Sequence, residues 1–249
     1  MWLKLQRSDS VITAYYRKMT TDAWTTIDHQ AFTALPGTLL VGLAVTSHAD
    51  GRIASASFSD VTIQTALPLE GRTIGTASGS VTTSGVTLTT TGRGADIWGS
   101  ADAFYYVSMP YSSDVTVTAR VRSIAGTEAW AKAGVMIRDD LTPGSRHVMA
   151  VVTPGKGVAM QYRSSPGAAS VQAADVAGAA PAWVRLVRSD DTFTASWSID
   201  GEHWTVPGSV HVTFAATQFY LGLPVTSHTA AGSASAVFDD VTIGPRPDR

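Results

Sequence analysis

The sequence predicts an all-β sandwich, and three observations carry that prediction. Apolar residues alternate with polar ones over strand-length runs. Val115, Val117, Ala119 and Val121 interleave with Thr116, Thr118, Arg120 and Arg122, and Phe193, Ala195, Trp197 and Ile199 with Thr194, Ser196 and Ser198. A period of two sends successive side chains to opposite faces of a strand. Turn dipeptides Pro143-Gly144, Pro154-Gly155 and Pro166-Gly167 recur every dozen residues or so, about the spacing of strands in a sandwich. No stretch shows a convincing amphipathic pattern of three helical turns.

The chain also repeats itself. Gly42–Ile63 returns as Gly222–Ile243 at an offset of 180 residues, and Trp2–Ala14 returns as Trp183–Ala195 at an offset of 181. Residues 1–64 are therefore expected to be a truncated copy, the C-terminal half of a first repeat. Residues 65–70, with Pro68, read as a linker, 71–245 as a complete repeat and 246–249 as the start of a further linker or tail. Met1 stands where the second copy has Ala182, directly before the shared Trp. The chain is thus expected to be a fragment of a longer multi-repeat protein. In the half copy the strands lack the sheet that should cover Leu39, Val41 and Leu43.

Within the repeated ending the alternation changes phase. Ala234, Ala236 and Phe238 share one parity and Val241 and Ile243 the other, and Ala54, Ala56, Phe58, Val61 and Ile63 do the same. One extra residue explains the shift, which places a β-bulge at Asp60 and at Asp240. Phe219, Leu221, Leu223 and Val225 form a further strand, and Asp200-Gly201 a hairpin turn.

Composition narrows the partners. A net charge of −2 with no basic stripe gives no pull toward nucleic acid. Apolar runs are too short for membrane insertion. Cysteine is absent, which removes disulfides and thiolate metal sites.

Between Asp96 and Arg163 the chain reads DIWGSADAFYYVSMP, TVTARVRS, WAKAGVMIRDDLTPGSRH and VTPGKGVAMQYR, and later WVRLVRSDDTFTASWSIDGEHWT. These segments resemble the concanavalin A-like jelly-roll (laminin-G or glucanase-like) repeats of large secreted bacterial proteins, similar to modules of unknown function found beside glycoside hydrolases. The resemblance implies an antiparallel two-sheet jelly roll for 71–245, preceded by half of a second one. It also implies extracellular or cell-surface placement and association with glycans or with neighbouring repeats.

Hydrolytic chemistry finds little support. A glycosidase needs two carboxyls roughly 5–10 Å apart. The only glutamates are Glu70, Glu128 and Glu202, and the pairs Asp139-Asp140 and Asp190-Asp191 are adjacent, so their side chains diverge on a strand. The Ser47-His48 and Ser227-His228 pairs are adjacent too, which is wrong for a nucleophile and its base. They read as strand-end structure, with the ring bonded to a loop carbonyl. For calcium the candidates are Asp239 and Asp240 beside the bulge, or Asp96 and Asp102 around a Gly-containing loop. Ser59 in place of Asp239 in the first copy argues against the former.

The functional reading is therefore a non-catalytic carbohydrate-binding or substrate-targeting repeat. Its expected site is Trp98 and Trp130 as aromatic platforms, with Arg138, Arg146, His147, Gln161 and Arg163 as forked or ring donors. Arg138 shares a parity with Met136, and Gln161 with Arg163, so one sheet face could gather them into a shallow groove. The competing reading has the two indoles plug the ends of the sandwich, and Trp183 and Trp204 are expected to pack in the core or at an edge. The alternatives are a structural spacer or adhesion repeat without a small ligand, and a glycan-acting hydrolase with atypical acids.

Overall fold

The computed structural model of the protein describes residues 1–8, 10–33, 35, 40–61, 67–126 and 128–244. Leu39, Ile63 and the tail 246–249, all invoked above, lie outside them. Contacts divide the chain into two units, Met1–Thr65 and Ala66–Arg249. No helix among the described residues is long and apolar enough to cross a membrane.

In the first unit β1 (Trp2–Ser8), β2 (Val11–Arg17) and β3 (Thr25–Ala31) form an antiparallel meander. The second unit is a sandwich of two seven-stranded antiparallel sheets, the all-β jelly roll expected. The first sheet runs β12 (Val171–Val176), β11 (Val158–Arg163), β10 (His147–Val152), β9 (Lys132–Arg138), β16 (Phe219–Thr226), β7 (Phe104–Tyr111), β4 (Glu70–Ile74). The second runs β15 (Thr205–His211), β14 (Thr192–Ser198), β13 (Ala182–Ser189), β8 (Val115–Ala125), β17 (Thr229–Gly244), β6 (Thr87–Gly94), β5 (Ser78–Ser84). Glu70, expected in the linker, opens β4.

Parity decides what lies between the sheets. Val135, Ile137, Val148, Ala150 and Leu221 of the first sheet meet Val117, Ala119, Val184, Leu186 and Phe238 of the second in one continuous core. The three Pro-Gly pairs fall in connections between strands. β14 stops at Ser198, one residue short of the expected run, because the Asp200 carboxylate caps the amides of Glu202 and His203 and starts the hairpin. Ile199 is consequently exposed. The bulge at Asp240 is present, since the β17–β8 register shifts between Asp239 and Thr242 and Asp240 has φ +48°, whereas Asp60 lies in no strand and so forms no bulge.

The meander β1–β2–β3 and the meander β13–β14–β15 share their register. Leu5 faces Ala14 as Leu186 faces Ala195, Ser8 faces Val11 as Ser189 faces Thr192, and Tyr16 faces Thr25 as Trp197 faces Thr205. Each register slips at the same place, after Ala14 and after Ala195. The next two strands of the second unit have no counterpart, since residues 40–61 adopt none. Topology explains the difference. β13–β15 are consecutive neighbours and pair with one another, whereas β16 lies between β9 and β7, and β17 between β8 and β6. Those four neighbours come from the front half of the repeat, for which residues 1–64 hold no equivalent. Even so, His48 and His228 have φ +55° and +60°, and Asp60 and Asp240 +53° and +48°. The left-handed backbone at these residues is a local property of the sequence.

The two indoles expected in the core or at an edge are there, Trp183 buried and Trp204 directly ahead of the edge strand β15, and both are covered by guanidiniums. Trp183 sits on the outward side of β13 beneath the Arg120 guanidinium at 4.4 Å, and Trp204 beneath Arg185 at 3.5 Å. Lys4 lies 4.9 Å over Trp24 in the first unit, the matching arrangement with a shorter cation.

Equivalent side chains should then differ in energetic weight. Leu186 is fully buried and Leu5 is 74% exposed. Leu186→Ala is expected to cost about 2–5 kcal/mol, and Leu5→Ala less than about 0.5 kcal/mol; urea-unfolding curves of the two variants check this.

Candidate functional site

The outward face of the first sheet is where the sequence places a groove, and the parity is as read: Lys132, Met136, Arg138, His147, Gln161 and Arg163 all point to that side. The face, however, is not open. Ile74, Phe104, Tyr106, Met136, Met149, Val151 and Ala159 form a second apolar layer there, and Ile97 from the 95–103 connection is buried among them. That connection closes on itself as a flap, with the Ala103 amide donating to the Asp96 carbonyl at 2.7 Å.

Asp102 holds the flap down. Its carboxylate accepts a bidentate pair from Arg163, Nη2 to Oδ1 at 2.6 Å and Nη1 to Oδ2 at 2.9 Å, and a further bond from Arg138 Nη1 at 3.3 Å. All three side chains are fully buried. The remaining donors go to loop backbone. Arg163 reaches the carbonyls of Trp98, Gly99, Pro143, Ser145 and Ala168, and Arg138 those of Asp140 and Thr142. Three loops are thereby tied to one ion cluster, and to each other through Asp102 N to Pro143 O, Ser170 N to Gly99 O and Gly167 N to Gly144 O. Gly99 has φ +55°, which the tight turn of the flap requires.

The other side of the flap is fastened separately. Asp96 pairs with the buried Lys132 through Oδ1, and with His228 Nε2 at 3.3 Å through Oδ2. Thr226 Oγ1 donates to the carbonyls of Gly94 and Ala103, the two residues that frame the flap, and Ser227 Oγ accepts from the Gly94 amide. A Cβ at Gly94 would lie 1.9 Å from the Ala103 carbonyl oxygen, so only glycine allows this approach. The repeated Thr-Ser-His motif is thus a clasp. The His228 ring lies against a carboxylate, where a loop carbonyl had been expected. In the first unit Thr46-Ser47-His48 shows local bonds among the described residues, Ser47 Oγ to Ala49 O, Ala49 N to Ser47 Oγ and His48 N to Thr46 Oγ1.

The expected site residues are therefore dispersed. Arg138, His147 and Arg163 come together, but around Asp102 and out of reach of solvent. That corrects the expectation of an open groove: two guanidiniums on an apolar layer require a counter-ion and carbonyls, and the flap supplies both. Gln161 is buried, its amide donating to Gln172. Arg146 faces away, bonded at 2.7 Å to Asp139, which also accepts from the amide of Ala215. Trp130 is half-buried against the outer apolar layer, with Lys132 Nζ 5.6 Å from its ring centre. Trp98 alone presents a large surface, 40% exposed on the pinned flap. Lys132 and Thr226 did not figure among the expected site residues, and Asp102 figured only as a calcium candidate; two arginines of one parity on a buried face were the available sign that a carboxylate must meet them.

Three of the four calcium candidates already face cationic or ring nitrogen groups. Asp239 faces the guanidiniums of Arg122 at 3.5 Å and Arg120 at 3.9 Å. Asp96 and Asp102 are taken by Lys132, His228, Arg138 and Arg163. Among the described residues no group of three or more His, Cys, Asp or Glu could hold a metal ion.

Burial governs the ionisation of the cluster. It pushes the Asp102 carboxyl up, and the Arg163 and Arg138 guanidiniums pull it back. Burial, then the charges of Arg138 and Arg163, hold His147 well below the ordinary histidine value. His147 is therefore neutral in the fold. The unfolded chain takes up this proton below about pH 6.5 and the folded chain does not, so stability falls as pH drops below that value.

No protein-family model and no curated protein sequence matches the chain. Among solved structures, a functionally unknown protein from Saccharomyces cerevisiae aligns with 69% of this chain and 97% of its own, at 15% identity and a TM-score of 0.56. That likeness supports the sandwich fold alone. The carbohydrate-binding module CBM66 from Bacillus subtilis aligns over 70% of this chain and 94% of its own, at 18% identity and a TM-score of 0.47. The VIP36 exoplasmic/lumenal domain, in a Ca2+/Man-bound form, covers 70% of this chain and 83% of its own, at 11% identity and a TM-score of 0.43.

Two outcomes follow from the cluster. Asp102→Ala leaves two guanidiniums buried without their carboxylate and should lower stability by about 3–5 kcal/mol, measured by urea unfolding. His147→Gln should abolish a loss of about 1.4 kcal/mol per pH unit below about pH 6.5, measured by unfolding at a series of pH values.

Proposed function

We propose that the second unit is a non-catalytic glycan-contacting module of an extracellular or cell-surface protein, and that Trp98 is its contact. One observation carries the proposal: an indole is exposed on a flap whose carbonyls at Trp98 and Gly99 are already held by a buried arginine. A sugar presents an apolar ring face that an aromatic side chain covers. A contact fixed in advance loses little entropy on binding. The carboxylates near the flap are engaged, Asp96 by Lys132 and His228, Asp102 by two arginines, and Asp139 by Arg146 and the Ala215 amide. None is offered as the unpaired acid and base that glycoside hydrolysis needs.

A single shallow contact supports weak binding, with a Kd of about 1 mM, so useful retention on a polysaccharide surface rests on several such units acting together.

A second reading has a specific observation in its favour. The outward sheet face is filled by Ile97 and Asp102, as befits a spacer or adhesion repeat with no small ligand. A glycan array probed with the full chain and with Trp98→Ala separates the two. Glycan signal that falls at least about tenfold in the variant supports the module; signal unchanged in the variant removes Trp98 as the contact, and none from either protein leaves the spacer reading.

A further inference from the structure

The first unit exposes an apolar surface whose equivalent in the second unit is fully covered. Leu3 and Leu5 of β1 are exposed, whereas Val184 and Leu186 at the matching positions of β13 are buried. Beyond the meander, Val41, Leu43, Val45 and Phe58 are exposed, whereas Leu221, Leu223, Val225 and Phe238 are buried. The six counterparts, Val184, Leu186, Leu221, Leu223, Val225 and Phe238, all belong to one core.

The second unit shows what such a surface takes. There, β13 pairs with β8 along its outer edge and packs over β9 and β10, whose Val135, Ile137, Val148 and Ala150 complete the core. The counterparts of residues 40–61 become strands only between front-half neighbours, β16 between β9 and β7 and β17 between β8 and β6. An apolar ligand or lipid surface could cover Leu3 and Leu5, but it could not pair with the backbone of β1 or order residues 40–61.

We propose that the first unit is an assembly surface for the front half of a further repeat of this kind, which adds strands equivalent to β6, β7, β8 and β9. Pairing at the β1 edge supplies main-chain hydrogen bonds, and alternate Val, Ala and Ile side chains supply the cover. The front half already in this chain is not available for the role. Its Val107, Val135, Ile137 and Val148 are fully buried against their own partners, so neither the second unit nor that of a second copy can offer them while folded.

Amide hydrogen exchange tests this on the full chain, alone and with an added copy of residues 71–181 placed ahead of Met1. Alone, amides of 2–8 and 41–61 should exchange at least about 100-fold faster than those of β13, β16 and β17. With the added segment they should slow to within about tenfold of those strands, and not do so when that segment carries Val135→Asp and Ile137→Asp. Protection already present in the unextended chain overturns the proposal: a monomer by sedimentation would point to cover from within the chain, a dimer to a second copy. Unchanged exchange at 2–8 and 41–61 in the extended chain, with the second unit still protected, overturns it as well. The unextended chain tests the proposal even where the extended one fails to fold.

Discussion

A carboxylate buried between two guanidinium groups must have its geometry met in full, because any member left unpaired in an apolar layer costs several kcal/mol. Asp102, Arg138 and Arg163 satisfy this only when three loops converge on them. The 95–103 flap brings the acid. The connections after β9 and β11 bring the carbonyls that take up the remaining N–H groups. The position of the flap, the closing of the outer sheet face, the burial of Ile97 beneath the flap and the exposure of Trp98 on it all follow from that one requirement. The Thr-Ser-His clasp at the base of the flap makes a second anchor with separate chemistry, neutral hydroxyls on backbone at Gly94 and Ala103.

The two copies of the repeated ending separate local from long-range determinants. His48 and His228, and Asp60 and Asp240, keep matching left-handed backbone whether or not a sheet surrounds them. Strand formation does not transfer in the same way. A meander needs only its own consecutive strands, so β1–β3 reproduce the pairing of β13–β15 down to the register slip after Ala14. A strand threaded between two distant partners cannot form without them, and 40–61 accordingly has no ladder. Side-chain alternation is a necessary signal for such strands and not a sufficient one.

The same distinction explains what could be read from the residues. Period-two alternation disclosed the core face of β8 and β16, the phase change disclosed the bulge at Asp240, and the offsets disclosed the copied meander, because each is written in neighbouring residues. Parity also put Arg138, Gln161 and Arg163 on one face correctly. It could not say whether that face met water or protein, since the cover comes from Ile97 and Asp102, more than 30 positions earlier. The arginines that cover Trp183 and Trp204 were not legible either, because Arg120 and Arg185 lie on strands far in sequence from the indoles they cover.

Trp98 is the large side chain that the flap leaves facing solvent, so a ligand on this side meets an indole and pinned backbone, and not a row of arginines. The amides of Asp102, Ala103 and Ser170 report on the rigidity of the flap directly, because they donate to Pro143, Asp96 and Gly99 across it. Their hydrogen-exchange rates in the full chain should match those of the β9 and β10 core amides. Exchange within about tenfold of the rate of an unstructured loop would mean that the flap opens freely, and that Asp102 does not hold it.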